Sequence, residues 1–147
     1  EEEAVAKILI VDDSTTMRKI VMKGVKAAAE AAGKREPTFV EAGDGLEALE
    51  QLAKNLDVNA ILCDVNMPNM DGIQFVRTLR DSSAIEKINV GDKSLLKRVS
   101  NKVPILMVTT EGGLDKVQEA LKAGANDYLK KPFTTEQLAE KCGGYFD

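Results

Sequence analysis

No histidine occurs in the 147 residues. That absence excludes histidine general acid–base catalysis, imidazole metal sites and phosphohistidine chemistry on the chain's own side chains. Cysteine is scarce, with Cys63 and Cys142 alone. Two thiols supply neither a disulfide framework nor the clustered spacing of a zinc site. Cys63 lies in an apolar run and reads as core. A reducing, cytoplasmic setting is the default expectation. No apolar run approaches the ~20 residues needed to span a bilayer, and no charged-then-apolar leader opens the chain. The first residue is Glu1 and not a methionine, as in a processed or cut product. Excess charge is also small: 20 basic and 24 acidic side chains leave a formal charge of −4. Binding led by phosphate neutralisation is therefore not expected, and nucleic acid is set aside as a partner.

What is present suits one domain, with 44% hydrophobic and 30% charged residues. A chain of this length buries roughly 70% of its unfolded surface and needs no staples. Short apolar runs alternate with segments of helical period. Strands are expected at Lys7–Val11, Thr38–Glu41, Ala60–Cys63, Ile105–Val108 and Asp127–Lys130. Helices are expected at Thr15–Ala32, Leu46–Asn55, Ile73–Arg80, Leu114–Ala123 and Thr135–Cys142. Five strands alternating with five helices predict an α/β domain with a parallel sheet and helices on both faces. Gly24 falls inside the first helix, which weakens that assignment. Gly33 and Gly124 stand where helix C-terminal glycines belong. Residues 81–103 form a long link between the third helix and the fourth strand. Its apolar spacing places a short amphipathic helix near Lys93–Ser100. The link reads as a surface excursion, or as a partner contact through Lys93, Lys97, Arg98 and Lys102. The acidic start, Glu1 to Glu3, reads as a solvated end.

The chemistry lies at the strand ends. The first strand ends in Asp12-Asp13, the third in Asp64, the fourth in Thr109-Thr110, and the fifth in Lys131-Pro132. A parallel sheet gathers these at one edge, where such folds bind ligands. Like charges 4 Å apart repel by about 4 kcal/mol at an effective dielectric of 20. Lys131 offsets part of that, and a hard divalent cation with oxygen ligands, Mg²⁺, offsets more. A calcium loop starting at Asp64 fails, because Asn69 stands where glycine is required and Phe75 where a glutamate is required. Taken singly, each feature has a plain reading: a cap, a turn, a surface lysine. Taken together, two acids, one acid, a hydroxyl and a lysine in this order point to a site.

With these residues in place, the sequence resembles the receiver domain of bacterial response regulators, and among them the single-domain chemotaxis regulators. The resemblance rests on ILIVDDS, LCDVNMPNMDG, ILMVTTEG and AGANDYLKKPF, and covers the chain from about Lys7 onward. It implies a flavodoxin-like, doubly wound five-stranded sheet of order 2-1-3-4-5, as one receiver domain over 1–147. It implies that Asp64 accepts a phosphoryl group, and that Asp12, Asp13, Asp64 and the backbone carbonyl of Asn66 hold Mg²⁺. It implies that Lys131 pairs with the phosphoryl group across a cis Lys131–Pro132 bond, and that Thr109 and Tyr128 act as switch hydroxyl and switch aromatic. The implied phosphodonor is a sensor histidine kinase. The implied output partner docks on the fourth helix, fifth strand and fifth helix, a flagellar switch protein in the chemotaxis case. The protein is then no enzyme toward external substrates, performing only self-phosphotransfer and autodephosphorylation, and is expected to be a monomer. Asn66 and Glu111 flank the mouth of such a site and, being small or polar, imply a short-lived phosphoryl state.

Three alternatives remain at this point. The chain can be the receiver end of a longer regulator or hybrid kinase. An aspartyl-phosphate phosphatase of similar architecture typically carries Asp-x-Asp after its first strand, where this chain has Asp12-Asp13-Ser14. A flavin- or nucleotide-binding domain wants a Gly- or Ser/Thr-rich loop there, to cradle phosphate with backbone N–H groups.

Overall fold

The computed structural model describes residues 5–55 and 57–146, with side chains for all of these but 111–113. The acidic start at Glu1 to Glu3 lies outside the described residues. In chain order the elements are β1 (Lys7–Val11), α1 (Thr15–Ala31), β2 (Thr38–Ala42), α2 (Gly45–Lys54), β3 (Ala60–Cys63) and α3 (Gly72–Leu79). Then come α4 (Ser82–Lys87), α5 (Lys93–Val99), β4 (Ile105–Thr109), a 3₁₀ segment (Glu111–Lys116) and α6 (Val117–Ala123). The chain closes with β5 (Asp127–Lys130), α7 (Thr135–Cys142) and a 3₁₀ turn (Gly143–Phe146).

All strand pairs are parallel and the sheet order is β2-β1-β3-β4-β5. The order explains the sequence pattern. β1, β3 and β4 are interior, covered on both faces, and are buried almost throughout. β2 and β5 are edges and stay half-exposed. Side chains alternate across the sheet. Ile8 and Ile10 join Val21, Val25 and Leu138 under α1 and α7. Leu9 and Val11 join Leu49, Leu52, Phe75 and Leu79 under the helices of the opposite face. Gly24 is needed where α1 meets α7: a Cβ there would lie 2.8 Å from Leu138 Cδ2 and 3.0 Å from Phe133 Cε1. The interior glycine is thus a close-approach residue and not a sign against the helix.

The helix count differs from the expected five. Seven α-helices form among the described residues, because the long link folds into α4, which is not expected from the sequence, and α5, the short helix expected near Lys93–Ser100. Asp81 and Asp92 cap their first turns, accepting from Ser83 N–H and Ser94 N–H. Each helix then inserts an apolar side chain, Ile85 and Leu96, both fully buried with Leu49 and Leu52 of α2. Burial of such a side chain contributes about 1.5–3 kcal/mol, so the link is core-bearing and not merely a surface excursion. Arg80 ties it down, donating to the carbonyls of Ser100 (2.9 Å) and Gly124 (3.2 Å) and to Asn126 Oδ1 (3.1 Å). The helix expected at Leu114–Ala123 begins instead as 3₁₀ and becomes α-helical only at Val117. No helix among the described residues is long and apolar enough to cross a membrane.

Candidate functional site

The C-terminal ends of β1, β3, β4 and β5 meet at one sheet edge, and the acids, the hydroxyl and the lysine of the strand ends gather there. Asp12 follows β1 directly and is 3% exposed. Its amide donates to Ala42 O at 3.0 Å, and its Oδ1 accepts from Ser14 N–H at 2.9 Å. Ser14 in turn caps α1, its hydroxyl accepting from Met17 N–H. Arg18, one turn into that helix, donates to Asp12 O at 2.7 Å and to Glu41 Oε1 at 2.9 Å. The second carboxylate oxygen of Asp12 accepts from Lys131 Nζ at 2.9 Å.

Asp64 follows β3. Its amide donates to Val11 O at 2.9 Å, and its Oδ1 accepts from Val65 N–H at 2.8 Å. Its Oδ2 lies 3.7 Å from Lys131 Nζ. Gly72 makes this geometry possible. A Cβ there would stand 2.1 Å from Asp64 O, so only glycine lets the start of α3 fold back on the strand end. Asp71 fixes that start through a reciprocal capping box with Gln74.

Lys131, a surface lysine when read alone and a site residue when read with the acids, is 6% exposed. Buried lysines are rare unless paired, and this one spans two carboxylates. The Lys131–Pro132 peptide is cis, as the resemblance implied. Asp13 is exposed. Oxygens of Asp12, Asp13 and Asp64 all lie within 4.8 Å of one another. Burial pushes the Asp64 carboxyl above its ordinary pKa; Lys131 opposes that and Asp12 adds to it. Three carboxylates facing one ammonium are an oxygen-only donor set with excess negative charge, and this set fits a hard divalent cation. Cys63 is no candidate nucleophile: it is fully buried, and burial pushes its thiol well above the usual range.

Thr109 is fully buried, and its Oγ1 has no hydrogen-bond partner among the described residues. Unsatisfied buried hydroxyls are uncommon and ask for an explanation. Thr110 makes no side-chain cap to the 3₁₀ segment, so the plain capping reading of this pair fails. Tyr128 stands opposite Met107 in the β4–β5 register, on the same sheet face as Thr109. It is 41% exposed, with Lys141 Nζ 5.6 Å from its ring centroid. Lys116 Nζ donates to Asn66 Oδ1 at 3.4 Å. The Glu111 side chain lies outside the described residues. Sequence reasoning missed Arg18, Gly72 and the Asn66–Lys116 contact. Only Gly72 left a signal, as a glycine in a turn-rich stretch after the acidic strand end.

Comparisons with known proteins identify the family and agree with the fold. The family model described as the response regulator receiver domain matches residues 8–91 and 93–142. The chain is 40% identical over 135 residues to the chemotaxis protein CheY1 of Helicobacter pylori, covering 92% of each chain. It is 41% identical over 135 residues to a chemotaxis protein CheY homolog of Campylobacter jejuni, covering 92% of this chain and 88% of the relative. Among solved structures, the chemotaxis protein CheY4 of Vibrio cholerae superposes with a TM-score of 0.69 at 34% identity, covering 97% of this chain and 99% of that one. With the family matched over most of its length and the acidic edge assembled as described, the chain belongs to the response regulator receiver domain family.

Proposed function

We propose that the protein is a phosphorylation-controlled two-component switch with Asp64 as the phosphoryl acceptor, working in chemotaxis. The observation that carries this reading is the buried Lys131 ammonium set between Asp12 and Asp64, at 2.9 and 3.7 Å, beside the third carboxylate of Asp13. In the reaction, one Asp64 oxygen attacks phosphorus of a phosphohistidine on a sensor kinase. The P–O bond to Asp64 forms as the P–N bond breaks, and the imidazole leaves with the electron pair and takes a proton from solvent. Asp12, Asp13, Asp64 and the Asn66 carbonyl would hold Mg²⁺, which neutralises charge on the transferring group. Lys131 supplies a fixed positive charge at the acceptor. Ser14 N–H and Arg18 hold Asp12 still, and Val65 N–H orients Asp64.

The unpartnered Thr109 hydroxyl is the element that responds. New phosphoryl oxygens give it an acceptor, and its movement opens space for Tyr128 to leave its exposed position. The two positions of Tyr128 are states of one equilibrium that phosphorylation biases. The output partner, a flagellar switch protein in this reading, docks on α6, β5 and α7. The unit is a cytoplasmic monomer, one receiver domain over 1–147, without turnover of external substrates.

Isothermal titration tests the metal centre. Mg²⁺ binding is expected in the parent protein and weakened at least about tenfold, or ~1.4 kcal/mol, in Asp13→Ala; unchanged affinity in the variant defeats the assignment. The phosphoryl state is short-lived in this reading, since Asn66 leaves the entrance open to water. Asn66→Arg is expected to slow loss of phosphate about tenfold, ~1.4 kcal/mol in the barrier. A parent lifetime of hours, or no slowing in the variant, overturns that.

A further inference from the structure

Lys116 closes the 3₁₀ segment and stands at the start of α6, on the rim of the site. It is exposed, and its ammonium reaches Asn66 Oδ1 at 3.4 Å. Asn66 lies two residues past Asp64. Among the described residues Lys116 forms no ion pair. The acid one turn along its own helix, Glu119, is taken by Arg77 of α3 at 2.7 Å. Lys116 also lines a groove of about 200 Å³ between α3 and α6, with Asp71, Ile73, Gln74, Arg77 and Glu119.

Asp12, Asp13 and Asp64 face one interior ammonium, and that ammonium is already hydrogen-bonded to Asp12. Lys131, and the Mg²⁺ that the acids would hold, act inside the site, so an anionic phosphodonor still approaches its mouth past the exposed Asp13 carboxylate. An exposed ammonium tethered over the acceptor loop raises the local concentration of anions at the mouth, as charge focusing does in clefts.

We infer that Lys116 is a positioning residue for phosphoryl loading: its charge, held over Asn66, draws the anionic phosphodonor to the mouth of the site. The inference rests on Asp64 being the acceptor. Lys116 makes no bond to the transferring atoms and acts through the field it places there. It also joins the acceptor loop to α6 through one side-chain contact, so its position is set by the same loop that carries Asp64.

The test tracks loading of the full chain by acetyl phosphate with Mg²⁺, by intact mass against time, at low and at high ionic strength. Lys116→Met is expected to load about fivefold slower at low ionic strength, with the deficit shrinking as salt screens the field. Lys116→Arg, which keeps the charge, is expected to load near the parent rate. Thermal melts of both variants should match the parent, since the side chain is exposed. Equal rates for Lys116→Met and parent overturn the inference. So does equal loss in the Met and Arg variants, which indicates geometry and not charge, and so does a deficit independent of salt. If the parent itself takes up no phosphate, the acceptor assignment fails and this inference falls with it. A loaded parent with an indifferent Lys116 leaves the acceptor assignment standing.

Discussion

Asp64→Asn is expected to take up no phosphoryl group from acetyl phosphate and Mg²⁺, and yet to be more stable than the parent near neutral pH. The first half comes from chemistry, because an amide has no anionic oxygen to attack phosphorus. The second comes from the electrostatics of the site. Burial raises the folded pKa of Asp64 above its ordinary value, with Asp12 adding to the shift and Lys131 resisting it. The folded state therefore binds the Asp64 proton more tightly than the unfolded state does. The associated stability is full below the unfolded pKa and is lost as pH rises through the folded pKa. At neutral pH the ionised Asp64 thus weakens the fold, and asparagine removes the charge while its amide oxygen keeps the Val65 N–H bond. Melts in metal-free buffer should show a higher Tm for the variant at pH 7. The gap should close as pH falls below the ordinary carboxylate pKa of about 4. A phosphate adduct of equal yield in the variant places the acceptor elsewhere. A lower Tm at neutral pH sinks the account of a crowded carboxylate kept for its chemistry.

That conflict between function and stability makes the site legible in the sequence. Adjacent acids after a buried strand set like charges side by side, and such local conflicts concentrate at functional positions. The strands are equally open to reading, since Ile8 to Val11, Ala60 to Cys63 and Ile105 to Val108 are continuous apolar runs of interior parallel strands. Two kinds of feature are hidden. Long-range pairing is one: the order of strand ends places Lys131 at the acidic edge, but not which carboxylates its ammonium bonds, because Asp12 and Asp64 lie in other elements. Arg18 and Lys116 are hidden for the same reason, each reaching another element with a flexible side chain. Short helices are the other. α4 spans Ser82–Lys87, too short for a period to emerge from noise, and only its burial of Ile85 reveals it. Gly24 misleads in a third way, because the penalty for glycine in a helix is local while its benefit, room for Leu138, is tertiary.

Removing the lysine while leaving its acids should be strongly damaging to stability. In Lys131→Met the side chain keeps its length and apolar stem and loses its charge. Asp12 then stays behind with a side chain only 5% exposed, holding the Ser14 N–H bond but no cation. Breaking a buried pair by deleting one partner typically costs about 3–5 kcal/mol, because the remaining charge is uncompensated. A value of that order is expected from urea unfolding in metal-free buffer, as a lower midpoint with an unchanged slope. Loading from acetyl phosphate should also fall, by about 100-fold or more, since a fixed positive charge at the transferring group is lost. The double variant Asp12→Asn/Lys131→Met separates the two effects. Neutralising Asp12 removes the stranded charge, so the double variant should recover part of the stability while gaining nothing in loading. Added Mg²⁺ should narrow the stability gap for the single variant, where three carboxylates remain, and not for the double, where one has been replaced. A single variant within about 1 kcal/mol of the parent would show that water reaches Asp12 well enough to replace the lysine. A double variant no more stable than the single one would show that the loss comes from packing of the Lys131 stem and not from the unpaired carboxylate.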